Sequence, residues 1–307
     1  MLRSLKFLLA AMILFMSVHY ATADACTSIT LGKDASVDGS VVTSHTCDSR
    51  VDRTWLDIVP FMKHGKDAKC AVYSGMRFAT HADLVGDVEI AGYIPQASET
   101  YGYINTAYPC MNEHQLAIGE STFGGREELR NKKALISCEE LCRLALERCK
   151  TAREAIRLID VLTEEHGYND GGECLTIADR DEVWHLEIIG CGEDEIGAVW
   201  AAQRVPDDHV GVNANASRIR AIDLDDPDHF MASKNVFDVA IERGWYDPDS
   251  GEPFEFCYAY NPHGRASMAA RRREWRVFDL LAPSLELDPN AENYPFSVKP
   301  DTLVTLA

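Results

Sequence analysis

The chain has 307 residues, 46% hydrophobic and 26% charged, values that suit a globular protein with a sizeable core and exclude a disordered or fibrous one. A net charge of −19 argues against non-specific binding to nucleic acid or to anionic membranes, both of which need a basic surface.

In chain order, the first 25 residues stand apart. Arg3 and Lys6 precede an apolar run over residues 8–18 broken only by Ser17, and Ala23-Asp24-Ala25 follows in a small-x-small pattern. This is the layout of a cleaved secretory signal peptide, and the run is too short to favour a membrane span; an uncleaved anchor is the competing reading. The mature protein is expected to be exported, secreted or periplasmic, and free of the membrane.

The next elements read as strands at residues 27–31, at 40–43 after the Asp38-Gly39 turn, and at 55–61. Ser137 with Glu140, and Thr151 with Glu154, are capping boxes that open two helices. The second places Ala155, Ile156, Ile159 and Leu162 on one face and stops at Gly167. Strands are expected at 175–178 and 183–189, joined through residues 179–182 as a hairpin, and then at 198–205 and 210–212. Two further helices are expected at 235–243, ending at Gly244, and at 269–281. Strands, a helical pair, more strands and then helices make an α+β layering.

Ten cysteines in an exported chain raise the question of disulfides, and reserving Cys26 leaves an odd nine. Cys138, Cys142 and Cys149 share a helix face with Leu141 and Ala145 and read as small buried hydrophobes. No cysteine spacing matches a structural zinc site, and His81-x-Asp83 is a weak ligand pattern.

Cleavage after Ala25 would make Cys26 the first residue. An N-terminal cysteine carries a thiol and a free α-amine together, and that amine, with a pKa of about 7.7–8.0, can act as the thiol's general base. Two other readings compete. Cys26 could simply start a buried strand. It could also accept a lipid, although a lipoprotein usually has a branched aliphatic residue where Ala23 stands here.

The segments 26–33 (Cys-Thr-Ser-Ile-Thr-Leu-Gly-Lys), Val37-Asp-Gly-Ser40 and His45-Thr-Cys-Asp48 resemble the start of the dipeptidase A-type cysteine peptidases, the family that includes the secernins. The resemblance continues through residues 108–122, 172–179, 196–204 and Arg271-Arg-Arg-Glu-Trp275, and so spans essentially all of the chain from Cys26 to its end as one domain. It implies an N-terminal-nucleophile (Ntn) hydrolase, a four-layer αββα sandwich with two stacked antiparallel sheets. The implied activity is hydrolysis of short peptides, chiefly dipeptides, with no metal or organic cofactor. A related acylase acting on N-acyl bonds, or a non-catalytic lipoprotein relative, is the runner-up. A homo-oligomer stays open. The chain ends at Ala307, shorter than is usual for the family.

Carried over residue by residue, the resemblance makes Cys26 the nucleophile and Asp48 the carboxylate beside its amine. Asn112 and Asn215, or Asn213 in place of the latter, become the oxyanion amides. The acylases' arginine three residues before the aspartate is here His45, a cation only when protonated, which could orient a substrate carboxylate or tune Cys26. Arg271, or Arg272, is a candidate for a late cation. Asn215-Ala-Ser217 also forms a glycosylation triplet.

Overall fold

The computed structural model describes residues 25–48, 56–74, 89–106 and 108–305. Residues 1–24 of the expected leader, Trp55 and the His81-x-Asp83 pattern lie outside them. No helix among the described residues is long and apolar enough to cross a membrane.

In chain order the described strands are β1 (Ala25–Leu31), β2 (Val42–Thr43), β3 (Thr46–Asp48), β4 (Asp57–Val59), β5 (Met62–Lys63), β6 (Lys69–Ser74), β7 (Glu89–Pro95), β8 (Glu99–Thr100), β9 (Tyr103–Asn105), β10 (Pro109–Asn112), β11 (Ala117–Gly124), β12 (Gly172–Ala178), β13 (Val183–Ile189), β14 (Val199–Val205), β15 (Val210–Asn213), β16 (Phe230–Ala232) and β17 (Ser297–Val298). The helices are α1 (Cys138–Arg148), α2 (Ala152–His166), α3 (Asp238–Glu242), α4 (Phe256–Tyr260) and α5 (Met268–Leu281). The fold is α+β with antiparallel sheets, as expected.

The larger sheet runs β16-β14-β13-β12-β11-β10-β9-β4. Every residue of β12 and β13 is buried, because helices cover one face of these strands and the smaller sheet meets the other. The expected hairpin is present. Asp179 Oδ1 accepts the Asp181 and Glu182 amides at the turn, while its Oδ2 accepts the Ala152 amide at the start of α2. One side chain thus fixes both the turn and the helix entry.

Both capping boxes form, with Ser137 accepting the Glu140 amide and Thr151 the Glu154 amide. Ala155, Ile156, Ile159 and Leu162 are buried, and Gly167 closes α2 at φ 74°. Cys138, Cys142 and Cys149 join the same core, and none of the ten cysteines is bridged. Three expected elements are clearly shorter than their patterns, the strand at 40–43 being only the two-residue β2. Of the strand at 55–61 only β4 forms, ending before Pro60, which has no N–H for a ladder; β5 begins beyond the pattern. The helix at 235–243 is the five-residue α3, with Gly244 at φ 69° beyond it.

The smaller sheet runs β17-β15-β1-β2, with β3 also paired to β1. Helix α5 packs on it through Phe278 and Val277, against Val212 and Ile29. A buried charge cluster sets the position of α5. Glu274 is fully buried, receives a bidentate contact from Arg265 and lies 2.6 Å from Arg218, whose side chain is 1% exposed. The two sheets meet through polar pairs: Ser28 Oγ donates to the Glu120 carbonyl, Thr30 bonds His185, and Thr43 bonds Thr176.

Candidate functional site

Cys26 lies in β1, which uses residues 28–31 to pair with β15 and residues 25–27 to pair with β3. Its backbone N–H donates to Asn215 Oδ1 at 2.9 Å, and its Sγ stands 3.6 Å from Glu120 Oε2. Burial, the Glu120 charge and the neighbouring Cys47 push the thiol pKa well up, so the group rests as a thiol.

Arg273 holds this corner together. Its Nη1 donates to the Cys26 carbonyl at 2.6 Å and to Thr27 Oγ1 at 2.9 Å, and its Nη2 donates to the Ala214 carbonyl and Asn215 Oδ1, both at 2.9 Å. A rigid guanidinium suits such a fork better than an ammonium. The two arginines before it turn elsewhere: Arg271 donates to the Ala291 carbonyl and Arg272 to Asn290 Oδ1. The cation of the triple arginine that reaches Cys26 is therefore the third, not Arg271 or Arg272.

Asn215 adopts φ 59°, a left-handed conformation that asparagine tolerates. Its N–H donates to Ser121 Oγ and its Nδ2 to the Thr122 carbonyl. Its amide is thus engaged within the fold, which leaves the glycosylation reading without support. Asn213 instead donates to the Ala216 carbonyl. Asn112 makes its hydrogen bonds away from Cys26. Its Nδ2 donates to the Leu146 and Cys149 carbonyls and its Oδ1 accepts the His114 and Leu116 amides, which ties the 112–116 turn to the end of α1. Asp48 is the cross-strand partner of Ala25, and its negative charge acts on Arg273.

On the other side of the thiol, His45 Nε2 stands 3.1 Å from Glu120 Oε2. The His45 ring leans on Tyr108, with centroids 5.2 Å apart. Burial alone would raise the Glu120 carboxyl, but contact with His45 and hydrogen bonds from Glu173 and Thr122 outweigh it and hold the pKa at about 2. Glu173 is driven the opposite way, by burial first and then by the Glu120 charge, and keeps its proton. The β11–β12 register pairs Thr122 with Glu173, which places both carboxyls on one face.

Gly119 lets the His45 segment come close. A Cβ there would lie 2.6 Å from Thr176 Oγ1, 3.2 Å from the Ser44 carbonyl oxygen and 3.3 Å from His45 Cβ. Gly119→Ala should therefore push residues 44–45 off β11 and cost about 1–3 kcal/mol of stability. Chemical denaturation measures that cost, and an unchanged midpoint would show that the approach is not tight.

Glu120, Glu173 and Arg273 escaped the sequence reading. Arg273 left a trace, since Ala270, Glu274 and Phe278 form the buried stripe of α5 and residue 273 borders it. Glu120 stands alone among apolar and small residues in β11.

A sequence profile of peptidase family C69 matches residues 25–307. The chain belongs to peptidase family C69. Among curated relatives, a probable dipeptidase of Latilactobacillus sakei is 24% identical over 290 residues, covering 89% of this chain and 56% of the relative. A probable dipeptidase of Salmonella dublin is 25% identical over 304 residues, covering 92% of this chain and 64% of the relative. Probable dipeptidase A of Streptococcus pyogenes serotype M3 (strain SSI-1) is 25% identical over 290 residues, covering 92% and 60%. The chain thus spans between 56% and 64% of the length of these curated relatives.

Proposed function

We propose that this chain is an exported Ntn cysteine peptidase that hydrolyses dipeptides through an acyl-enzyme on Cys26, freed as the first residue by removal of residues 1–25. The packing of helices, larger sheet, smaller sheet and α5 supports the four-layer αββα reading. The names of the curated relatives support dipeptides as the substrate class.

The observation that carries the reading is the surroundings of Cys26. Its nitrogen, carbonyl and sulfur each have their own polar partner, in Asn215, Arg273 and Glu120. A strand cysteine serving only as core would need no such setting. A thiol kept protonated by burial and a carboxylate must lose its proton during attack. The free α-amine of the same residue is the base, and its nitrogen would sit against Asn215 Oδ1. As the thiol adds to the scissile carbonyl, the amine takes the thiol proton. That proton then goes to the leaving amine of the second residue. Water next attacks the thioester and gives a proton to the α-amine; the C–S bond breaks, Cys26 Sγ takes that proton back as it leaves, and the first residue departs as its acid. Asp48, opposite the residue whose removal creates the amine, balances the ammonium that forms. Asn215 Nδ2, which gives one of its two protons to the Thr122 carbonyl, supplies its second proton to the oxyanion. His45, beside Glu120, meets the substrate's terminal carboxylate.

The test is the intact mass of the exported protein followed by turnover of dipeptides against N-acyl amides. The expected result is a chain beginning at Cys26 that hydrolyses dipeptides. A lipidated Cys26, a different mature start, or turnover of acyl amides alone would overturn the proposal.

A further inference from the structure

We propose that Cys26, His45, Cys47 and Glu120 form a tetrahedral site for a borderline-soft divalent cation such as Zn²⁺, and that the bound ion blocks Cys26. The blocking rests on the role proposed above for Cys26; the binding does not.

The donor set is assembled by strand pairing. Cys26 and Cys47 are direct cross-strand partners in β1 and β3, and His45 precedes β3 by one residue. One ligand atom from each of the three lies within 4.8 Å of the other two. Glu120 reaches the same place from β11, with Oε2 3.6 Å from Cys26 Sγ and 3.1 Å from His45 Nε2. In a tetrahedral site with zinc bonds of about 2.0–2.3 Å, neighbouring donors stand roughly 3.3–3.8 Å apart. The two Glu120 distances, to Cys26 and to His45, already fall in or near that spacing. Two thiolates, an imidazole and a carboxylate are donors that zinc takes.

A second observation points to a cation. His45 Nε2 is buried and has no aligned hydrogen bond, although a carboxylate oxygen stands 3.1 Å away. A neutral imidazole presenting this nitrogen's lone pair to a carboxylate is repulsive unless a proton or a metal ion lies between them. Cys47 has no part in the proposed hydrolysis, yet its thiol completes the set. On binding, the two thiols release their protons to solvent and Cys26 Sγ becomes a metal thiolate, unable to attack a carbonyl.

Cobalt(II) titration of the mature chain beginning at Cys26, under a non-thiol reductant, tests the site directly. One equivalent should produce thiolate-to-cobalt charge-transfer absorption together with intense tetrahedral d–d bands. Cys47→Ser and Cys47→Ala should keep dipeptide turnover, lose the charge-transfer intensity of one thiolate, and need about tenfold or more zinc for half-inhibition. Two variants guard against a folding defect in either, and matching melting curves confirm that the comparison is sound. Absence of thiolate-to-cobalt absorption, or equal zinc sensitivity in both Cys47 variants, would overturn the site. Cobalt bands without any dipeptide turnover would leave the site standing and remove the hydrolase reading instead.

Discussion

Cys26→Ser should lower kcat/KM for dipeptides by about a thousandfold or more while leaving the fold in place. The substitution exchanges only the sulfur for an oxygen and fits the same strand position, so the pairing with Cys47 and the bonds from Arg273 and to Asn215 survive. What changes is the acidity of the nucleophile. The buried thiol is already held protonated beside Glu120, and a hydroxyl holds its proton far more tightly. A thousandfold loss corresponds to about 4 kcal/mol of transition-state stabilisation. A chain retaining one residue before Cys26 should be as inactive as the serine variant, because its nitrogen is an amide with no basic lone pair. Turnover of either form within tenfold of the mature protein, at matched thermal stability, would remove Cys26 from the mechanism.

The parts of the molecule legible in the sequence are those decided locally. Ser137, Thr151 and Gly167 mark helix ends because a cap needs only residues three or four positions away. Cys26, Asp48 and Asn215 could be named because they lie in motifs around the start of one strand and the end of another, and β1 then pairs those segments. Asn112 belongs to an equally recognisable motif, yet its amide is used to tie a turn to α1. A motif names a residue, but only the fold decides which partners occupy its hydrogen bonds. Glu120 and Glu173 are 53 residues apart in sequence and meet only through the β11–β12 register. Both lie in strands buried on both faces, where periodicity gives no warning that a carboxylate is enclosed. Arg273 could be separated from Arg271 and Arg272 only by the phase of α5, which Glu274 and its two buried arginine partners fix.

That pair of carboxyls gives the protein an unusual dependence of stability on pH. The Glu173 pKa is raised in the folded protein, so its contribution is fully present below the unfolded value of about 4.5 and is lost as pH rises toward the folded value. The Glu120 pKa is lowered to about 2, so its contribution is present above about 4.5 and is lost as pH falls through 2. As pH rises above about 4.5 the Glu173 proton should therefore cost the wild type stability until the carboxyl ionises in the fold. Glu173→Gln replaces the protonated carboxyl with an amide that donates to Glu120 without taking up a proton. The variant should unfold at higher denaturant concentration than the wild type at pH 8, and the two curves should converge toward pH 5. Below about pH 4.5 both should lose stability together, since Glu120 is unchanged. Denaturant unfolding across pH 3–8 reads this difference directly. Parallel curves for the two proteins would mean that Glu173 is ionised in the fold, and the shared proton that keeps Glu120 charged beside Cys26 and His45 would have to be abandoned.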